Sequence, residues 1–291
     1  MSPVYVLAAL SLLIWGATPV ATKIAIVDID PLTTGMLRPI LAGPVALICA
    51  LAFRLPVPKD IRGRFLLVGS GIASFAIWPV LLSVGIGMTA VTHAGLILAL
   101  IPLVTGLLSS IVDRTWPNWI WWAGSSVALA GTAILILSRE SPVNNAASIA
   151  GDLVIFLGVI ACAAGYITGA RITPAIGTWA TTFWGIVIAA LSLLPVMAFL
   201  TGRTAWADIG VTSGLAMLYL AFFGTIGGYA AWYWALGHGG ITRISSWQLA
   251  QPVITLTLAT LILGELLTLQ LILIASVILA STAWAQLPGR S

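Results

Sequence analysis

The sequence predicts an all-α integral membrane protein, with ten transmembrane helices laid out as two inverted five-helix repeats. Three observations carry this expectation. First, 60% of the 291 residues are hydrophobic and only 7% are charged, against roughly 25% charged in a soluble domain. Second, the apolar residues fall in runs close to the ~20 residues that cross ~30 Å of hydrocarbon. Third, two distant stretches follow one plan. Thr92-His93-Ala94-Gly95 leads to Pro102 and an apolar run ending at Asp113, and Thr242-Arg243-Ile244-Ser245 leads to Pro252 and an apolar run ending at Glu265. Gly87 and Gly237 share an offset in the two copies, and Pro44 and Pro195 nearly do. Duplication in so apolar a chain points to a membrane carrier with its site between two repeats.

Helices are expected over 4–27, 32–53, 65–86, 91–112, 118–138, 149–171, 176–200, 212–236, 241–263 and 268–286. The first is a retained span rather than a signal peptide, because it lacks a basic n-region, its apolar run is too long, and no small-x-small site precedes Lys23. Asp28-Ile29-Asp30-Pro31 separates it from the second, and the basic stretch Arg54–Arg64 follows the second. Pro79 interrupts the third helix and Pro102 the fourth; each removes a backbone hydrogen bond and bends its helix. Trp116, Trp119, Trp121 and Trp122 flank the start of the fifth, where tryptophan anchors a span at the interface, and Trp206 does the same before the eighth. The loop from Arg139 to Asn145 is the natural boundary, giving repeats 1–140 and 149–287. Gly165-x-x-x-Gly169 in the sixth helix and Gly224-x-x-x-Gly228 in the eighth permit close helix contact. The loop Thr201–Asp208 follows the seventh helix, and Pro252 bends the ninth at the position equivalent to Pro102.

Arginine and lysine set the orientation. Arg54, Lys59, Arg62, Arg64, Arg114, Arg171, Arg243 and Arg290 share one side, while Arg139, Arg203, Lys23 and Arg38 lie on or near the other. Both termini are therefore expected in the cytoplasm. Five helices per repeat is an odd number, so the second copy enters the membrane inverted. The net charge of +4 is spread over span ends and forms no nucleic-acid patch. Cys49 and Cys162 lie inside helices and read as free thiols, with no disulfide or metal framework and no cofactor implied. Hydrolase, zinc-protease and redox motifs are absent from the sequence, which disfavours a membrane enzyme.

The ordered set Trp15-Gly16, Pro19, Lys23, Arg38, Gln251-Pro252 and Gly264-Glu265 resembles the EamA-type branch of the drug/metabolite transporter superfamily, over nearly the whole chain. Within it the chain looks most like the YddG-type aromatic amino-acid exporters. Asp113-Arg114 departs from the pattern where the second half has Gly264-Glu265, and the sixth helix lacks a tryptophan matching Trp15. The resemblance implies a multi-pass transporter of the bacterial inner membrane, active as a monomer. It would export small metabolites, foremost neutral or aromatic amino acids. Drugs, sugar derivatives or lipids are the alternative cargoes.

Polar residues within a span tend to face the bundle interior. Ser245, Gln248, Gln251 and Thr255 share one helical face, and so do Ser11, Trp15, Thr18 and Thr22. The third helix offers Ser74, Trp78, Leu82 and Gly85 at similar steps. These stripes either line a shared cavity or bond one helix to another. The expected cavity residues are Trp15, Thr18, Trp78, Leu82, His93, Ile101, Tyr166, Trp184, Trp247, Gln248 and Gln251, with Tyr233 as a further deep aromatic. Pro79, Pro102 and Pro252 are the expected hinges, and Lys23 and Arg38 either snorkel or attract a substrate carboxylate. Glu265 and Asp113 read as end-of-span residues, and no acid lies near the middle of a helix. That argues for a facilitator or exchanger, or for coupling through His93, Lys23 or backbone carbonyls.

Overall fold

The computed structural model describes residues 3–138, 147–200, 202, 204–239 and 246–285, apart from a few side chains including that of Tyr233. Arg139, Arg203, Thr242, Arg243, Ile244, Ser245 and Arg290 lie outside the described residues, as do most of the boundary loop and the second copy of the repeated tetrapeptide. Among the described residues all regular structure is helical. The helices are α1 (Pro3–Ala25), α2 (Pro31–Ala52), α3 (Ile61–Met88), α4 (Val91–Asp113), α5 (Trp119–Ser138), α6 (Ile149–Ile176) and α7 (Thr178–Leu200). They continue as α8 (Val211–Leu218, Tyr219–Gly227 and Gly228–Gly239), α9 (Trp247–Leu263) and α10 (Leu269–Ala285). Eight helices, α1 to α8, are long and apolar enough to cross a membrane, and α9 and α10 are shorter apolar helices.

Local chemistry sets the ends. Asp30 caps α2 by accepting the Thr33 N–H at 2.9 Å, with Pro31 at the first helical position, where its missing N–H costs nothing. Asp60 caps α3 through the Gly63 N–H at 2.8 Å. That cap starts α3 at Ile61 rather than 65 and draws Arg62 and Arg64 into its first turn. The sixth helix likewise runs past its expected end at 171 and stops at Gly177, whose φ of 83° is left-handed. The α1–α2 turn docks on the start of α8. Hydrogen bonds from Ser213 and from the Gly210 N–H hold the Asp28 carboxyl below the usual carboxylate range.

Irregular turns interrupt several helices. The stretches Ile72–Ile77 of α3 and Tyr219–Gly227 of α8 are wound as π-helix. In α4 the ladder tightens at Ala99 and Leu100, whose N–H groups donate to Leu96 and Ile97 at 3.1 Å each. A 3₁₀ turn, Ser246–Ala250, opens α9. Pro79, Pro102 and Pro252 each occupy the second position of the α-helical segment that follows such a turn. They therefore do not sit inside uninterrupted helices, as the sequence suggests. The ring stands where an N–H partner is already missing.

The extensive helix pairs are α2 with α7, α5 with α10, α3 with α6, α1 with α8, α4 with α6, α1 with α9, α3 with α7 and α2 with α3. Exchanging each helix for the one five places away maps the first six pairs onto one another, whereas α2 with α3 has no counterpart of similar extent between α7 and α8. Small residues permit the closest approaches. A Cβ on Gly71 of α3 would lie 2.8 Å from the Gly185 carbonyl oxygen of α7. Trp116 and Trp119 are 70% and 71% exposed, as interface anchors require.

Candidate functional site

A cavity lies where α1, α2, α3, α4, α6, α8 and α9 meet. From the first half come Trp15, Thr18, Pro19, Arg38, Ser74, Phe75, Trp78, Pro79, Leu82, Leu98, Ala99, Ile101 and Pro102. From the second come Cys162, Tyr166, Gly224, Thr225, Tyr229, Gln248, Leu249, Gln251 and Pro252. The cavity leaves about 90 Å³ for the centres of water-sized groups, where one water needs about 10–15 Å³. It admits several waters or a small solute.

The irregular turns shape its walls. Ser74 and Phe75 belong to the π segment of α3, and Gly224 and Thr225 to that of α8. Trp15 donates its Nε1–H to the Gly224 carbonyl at 3.2 Å, which pins α1 to α8. The Trp15 ring meets the edge of Tyr229 at 5.0 Å, and Tyr229 meets Phe75 at 5.3 Å. Thr18 satisfies its hydroxyl on the Ile14 carbonyl at 3.1 Å. Arg38 is 6% exposed, and its Nε and Nη1 have no hydrogen-bond partner among the described residues.

Of the residues expected at the site, Trp15, Thr18, Arg38, Trp78, Leu82, Ile101, Tyr166, Gln248 and Gln251 come together in this lining, with all three prolines. Trp184, Trp247, His93 and Lys23 do not. Trp184 lies on α7, which contributes nothing to the lining, and donates to the Leu55 carbonyl at 3.3 Å. Trp247 stacks on Tyr5, with ring centroids 5.4 Å apart. Thr255, on the polar stripe of α9, donates to the Gly16 carbonyl at 2.8 Å and so bonds helix to helix. Phe75, Thr225 and Tyr229 are absent from the sequence-based set, because only the widened turns bring them inward.

His93 and Lys23 belong instead to a buried polar network. His93 Nδ1 lies 2.9 Å from Asp152 Oδ2, both side chains being wholly buried. Thr89 donates its hydroxyl to Asp152 Oδ1 at 2.7 Å. Lys23 donates to the carbonyls of Ile86, at 3.0 Å, and Thr89, at 3.4 Å, near the C-terminus of α3 where a cation is favoured. Glu265 accepts the N–H groups of Val91 and Thr92 at 2.8 Å each, capping α4. It ends its span as expected, but as a buried cross-link between α9 and α4. Asp152 stands in the first turn of α6, away from mid-helix, yet it is buried against a histidine. A lone acid opening an apolar run was the available signal for it. Away from this network an exposed ion pair joins Arg171 of α6 to Asp113 of α4.

Comparison with known proteins places this architecture. The model of the EamA-like transporter family matches residues 2–137 and 149–286. An "Uncharacterized transporter YdeK" of Bacillus subtilis (strain 168) is 29% identical, over 88% of this chain and 87% of its own. A "Probable amino-acid metabolite efflux pump" of Salmonella typhimurium is 28% identical, over 89% of this chain and 86% of its own. The "Uncharacterized inner membrane transporter YedA" of Escherichia coli (strain K12) is also 28% identical, over 87% and 80%. A solved crystal structure superposes with a TM-score of 0.65 at 19% identity, covering 99% of this chain and 97% of its own, and so shares the fold. Apolar helices long enough to span a bilayer, a cavity walled by both halves and a family match across each half lead to one conclusion: this multi-pass membrane protein belongs to the EamA-like transporter family.

Proposed function

We propose that the chain exports small metabolites, foremost neutral and aromatic amino acids, across the bacterial plasma membrane by alternating access through the central cavity. The observation that carries this reading is the lining itself. Aromatic rings from both halves stand beside two amide side chains, Gln248 and Gln251. The rings shelter an apolar side chain, and each amide both donates and accepts, matching an ammonium and a carboxylate. The amino-acid efflux named for the Salmonella relative supports the same cargo class.

The reading includes ten spans in two inverted repeats, 1–140 and 149–287, with both termini cytoplasmic. The six helix pairs that exchange with one another support the repeat, and the one-sided arginine and lysine count supports the orientation. Pro79, Pro102 and Pro252, each next to an irregular turn, act as hinges. The network of Lys23, Thr89, His93, Asp152 and Glu265 ties helices of both halves together and forms the closed outer gate. A panel of radiolabelled amino acids offered to purified protein in liposomes tests the cargo. Flux of aromatic amino acids above that of empty liposomes is the expected result. Flux of drugs, sugar derivatives or lipids without any amino acid would overturn the assignment.

A further inference from the structure

We propose that Arg38 anchors the cargo through a carboxylate, so that a carboxylate, rather than an ammonium or a neutral polar group, is the obligatory feature of what this transporter carries. The inference rests on the transporter reading above and specifies its substrate. Among the described residues Arg38 is the one charged residue in the cavity lining, and no Asp or Glu is found there. The ion pairs found among the described residues, His93–Asp152 and Arg171–Asp113, both lie elsewhere. A guanidinium keeps its charge in any protein environment, and a buried charge without a counter-charge is costly.

Lys23 provides the contrast within the same membrane domain. Its ammonium is satisfied by the carbonyls of Ile86 and Thr89, with Glu265 close enough to act on it electrostatically. The protein supplies everything that Lys23 needs, whereas Nε and Nη1 of Arg38 find no partner among the described residues. Beside the guanidinium the wall is glycine. A Cβ on Gly224 would lie 3.4 Å from Nη2 of Arg38 and 3.7 Å from the Thr18 hydroxyl. No side chain of α8 stands between Gly224 and the guanidinium, which lies beside the Thr18 hydroxyl in a cavity otherwise lined by rings, aliphatic groups, amides, the hydroxyls of Ser74 and Thr225 and the Cys162 thiol. An anionic head there supplies the counter-charge, and the rings of Trp15, Phe75, Trp78 and Tyr229 cover the apolar remainder.

Three probes and two substitutions of Arg38 test this with the full chain in lipid nanodiscs, by calorimetric titration. L-Phenylalanine carries both charges, 3-phenylpropanoate only the carboxylate, and L-phenylalaninamide only the ammonium. Both carboxylates are expected to bind, the amide at least tenfold more weakly than phenylalanine. Arg38→Gln should weaken both carboxylates at least tenfold, with Arg38→Lys recovering part of the loss. Phenylalaninamide binding as tightly as phenylalanine would overturn the proposal, and this comparison needs only the unaltered protein should Arg38→Gln fail to fold. So would a folded Arg38→Gln variant with undiminished affinity, although the amino-acid reading would then survive. Binding of 3-phenylpropanoate without phenylalanine would leave the Arg38 anchor standing and remove the amino-acid assignment. Failure of both carboxylates to bind would overturn both.

Discussion

Replacing Glu265 by glutamine probes the seam between the two halves. The carboxylate is 8% exposed and accepts two backbone N–H groups at 2.8 Å, at a helix start where those donors lack intrahelical partners. Glutamine keeps the length and one acceptor oxygen, but its NH₂ group would face the second N–H as donor against donor. One buried donor left unsatisfied costs about 1–3 kcal/mol. Losing the charge at a helix N-terminus removes about 0.3–1 kcal/mol more. In membranes polar partners are partly replaced in the reference state, which trims such terms. A net of about 1.5–3 kcal/mol corresponds to roughly 10- to 150-fold in the ratio of open to closed gate. Cys162 is a native reporter, because it lines the cavity yet is only 1% exposed. With Cys49 changed to alanine, a membrane-impermeant maleimide added on the Glu265 face should label Cys162 faster in Glu265→Gln by that factor, since the rate follows the open population. An unchanged labelling rate together with an unchanged Tm would refute the gate.

Other expectations concern the hinges, the cargo contacts, coupling and packing. Pro102→Ala and Pro252→Ala restore a backbone donor beside an irregular turn and should slow transport while leaving binding affinity intact; unaltered turnover in both removes the hinge role. Gln251→Ala deletes a hydrogen-bonding group of a desolvated site and should weaken phenylalanine binding by about 1–3 kcal/mol, or roughly 5- to 150-fold, measured by titration. Downhill efflux from liposomes should continue with equal pH on both sides. If a pH gradient alone drives accumulation, the buried pair His93–Asp152 is the site of coupling, and His93→Gln should abolish that accumulation while sparing downhill flux. Gly71→Ala forces a methyl group against the Gly185 carbonyl and should destabilise the protein by about 1–3 kcal/mol, read as a lowered Tm in detergent.

The helices were legible because hydrocarbon thickness imposes a length that composition alone reveals. Their ends were less so. The Asp60 cap and the left-handed Gly177 extend α3 and α6 beyond the apolar runs. Trp15, Gln248 and Gln251 line the cavity, and they stand out in the sequence because polar or amphipathic side chains are conspicuous in an apolar span. Trp184 and Trp247 lie outside the lining, on Leu55 and Tyr5, because an apolar face in a span gives no sign of which neighbour it meets. Spacing by threes along 245–251 reads as one face of an α-helix, yet the chain there is wound as 3₁₀ at Ser246–Ala250, where a step of three is the repeat itself. The His93–Asp152 pairing joins residues that no local pattern links.

The wide turns of α3 and α8 make these two walls adjustable in a way that straight helices are not. Each π segment carries a surplus residue relative to the α-helix it interrupts. Passing that surplus one position along the chain turns a residue by about 100° while both ends of the helix stay docked. The residues affected are those that face the cavity, Ser74 and Phe75 on one side and Gly224 and Thr225 on the other. Removing one residue from 219–227 would wind the segment into regular α-helix and rotate Tyr229 and the rest of α8 by that same angle. The aromatic contact of Tyr229 with Trp15 would then be lost without any change to the ring itself. Lengths of the third and eighth helices, usually free to vary among membrane spans, are thus locked to the shape of the solute pathway.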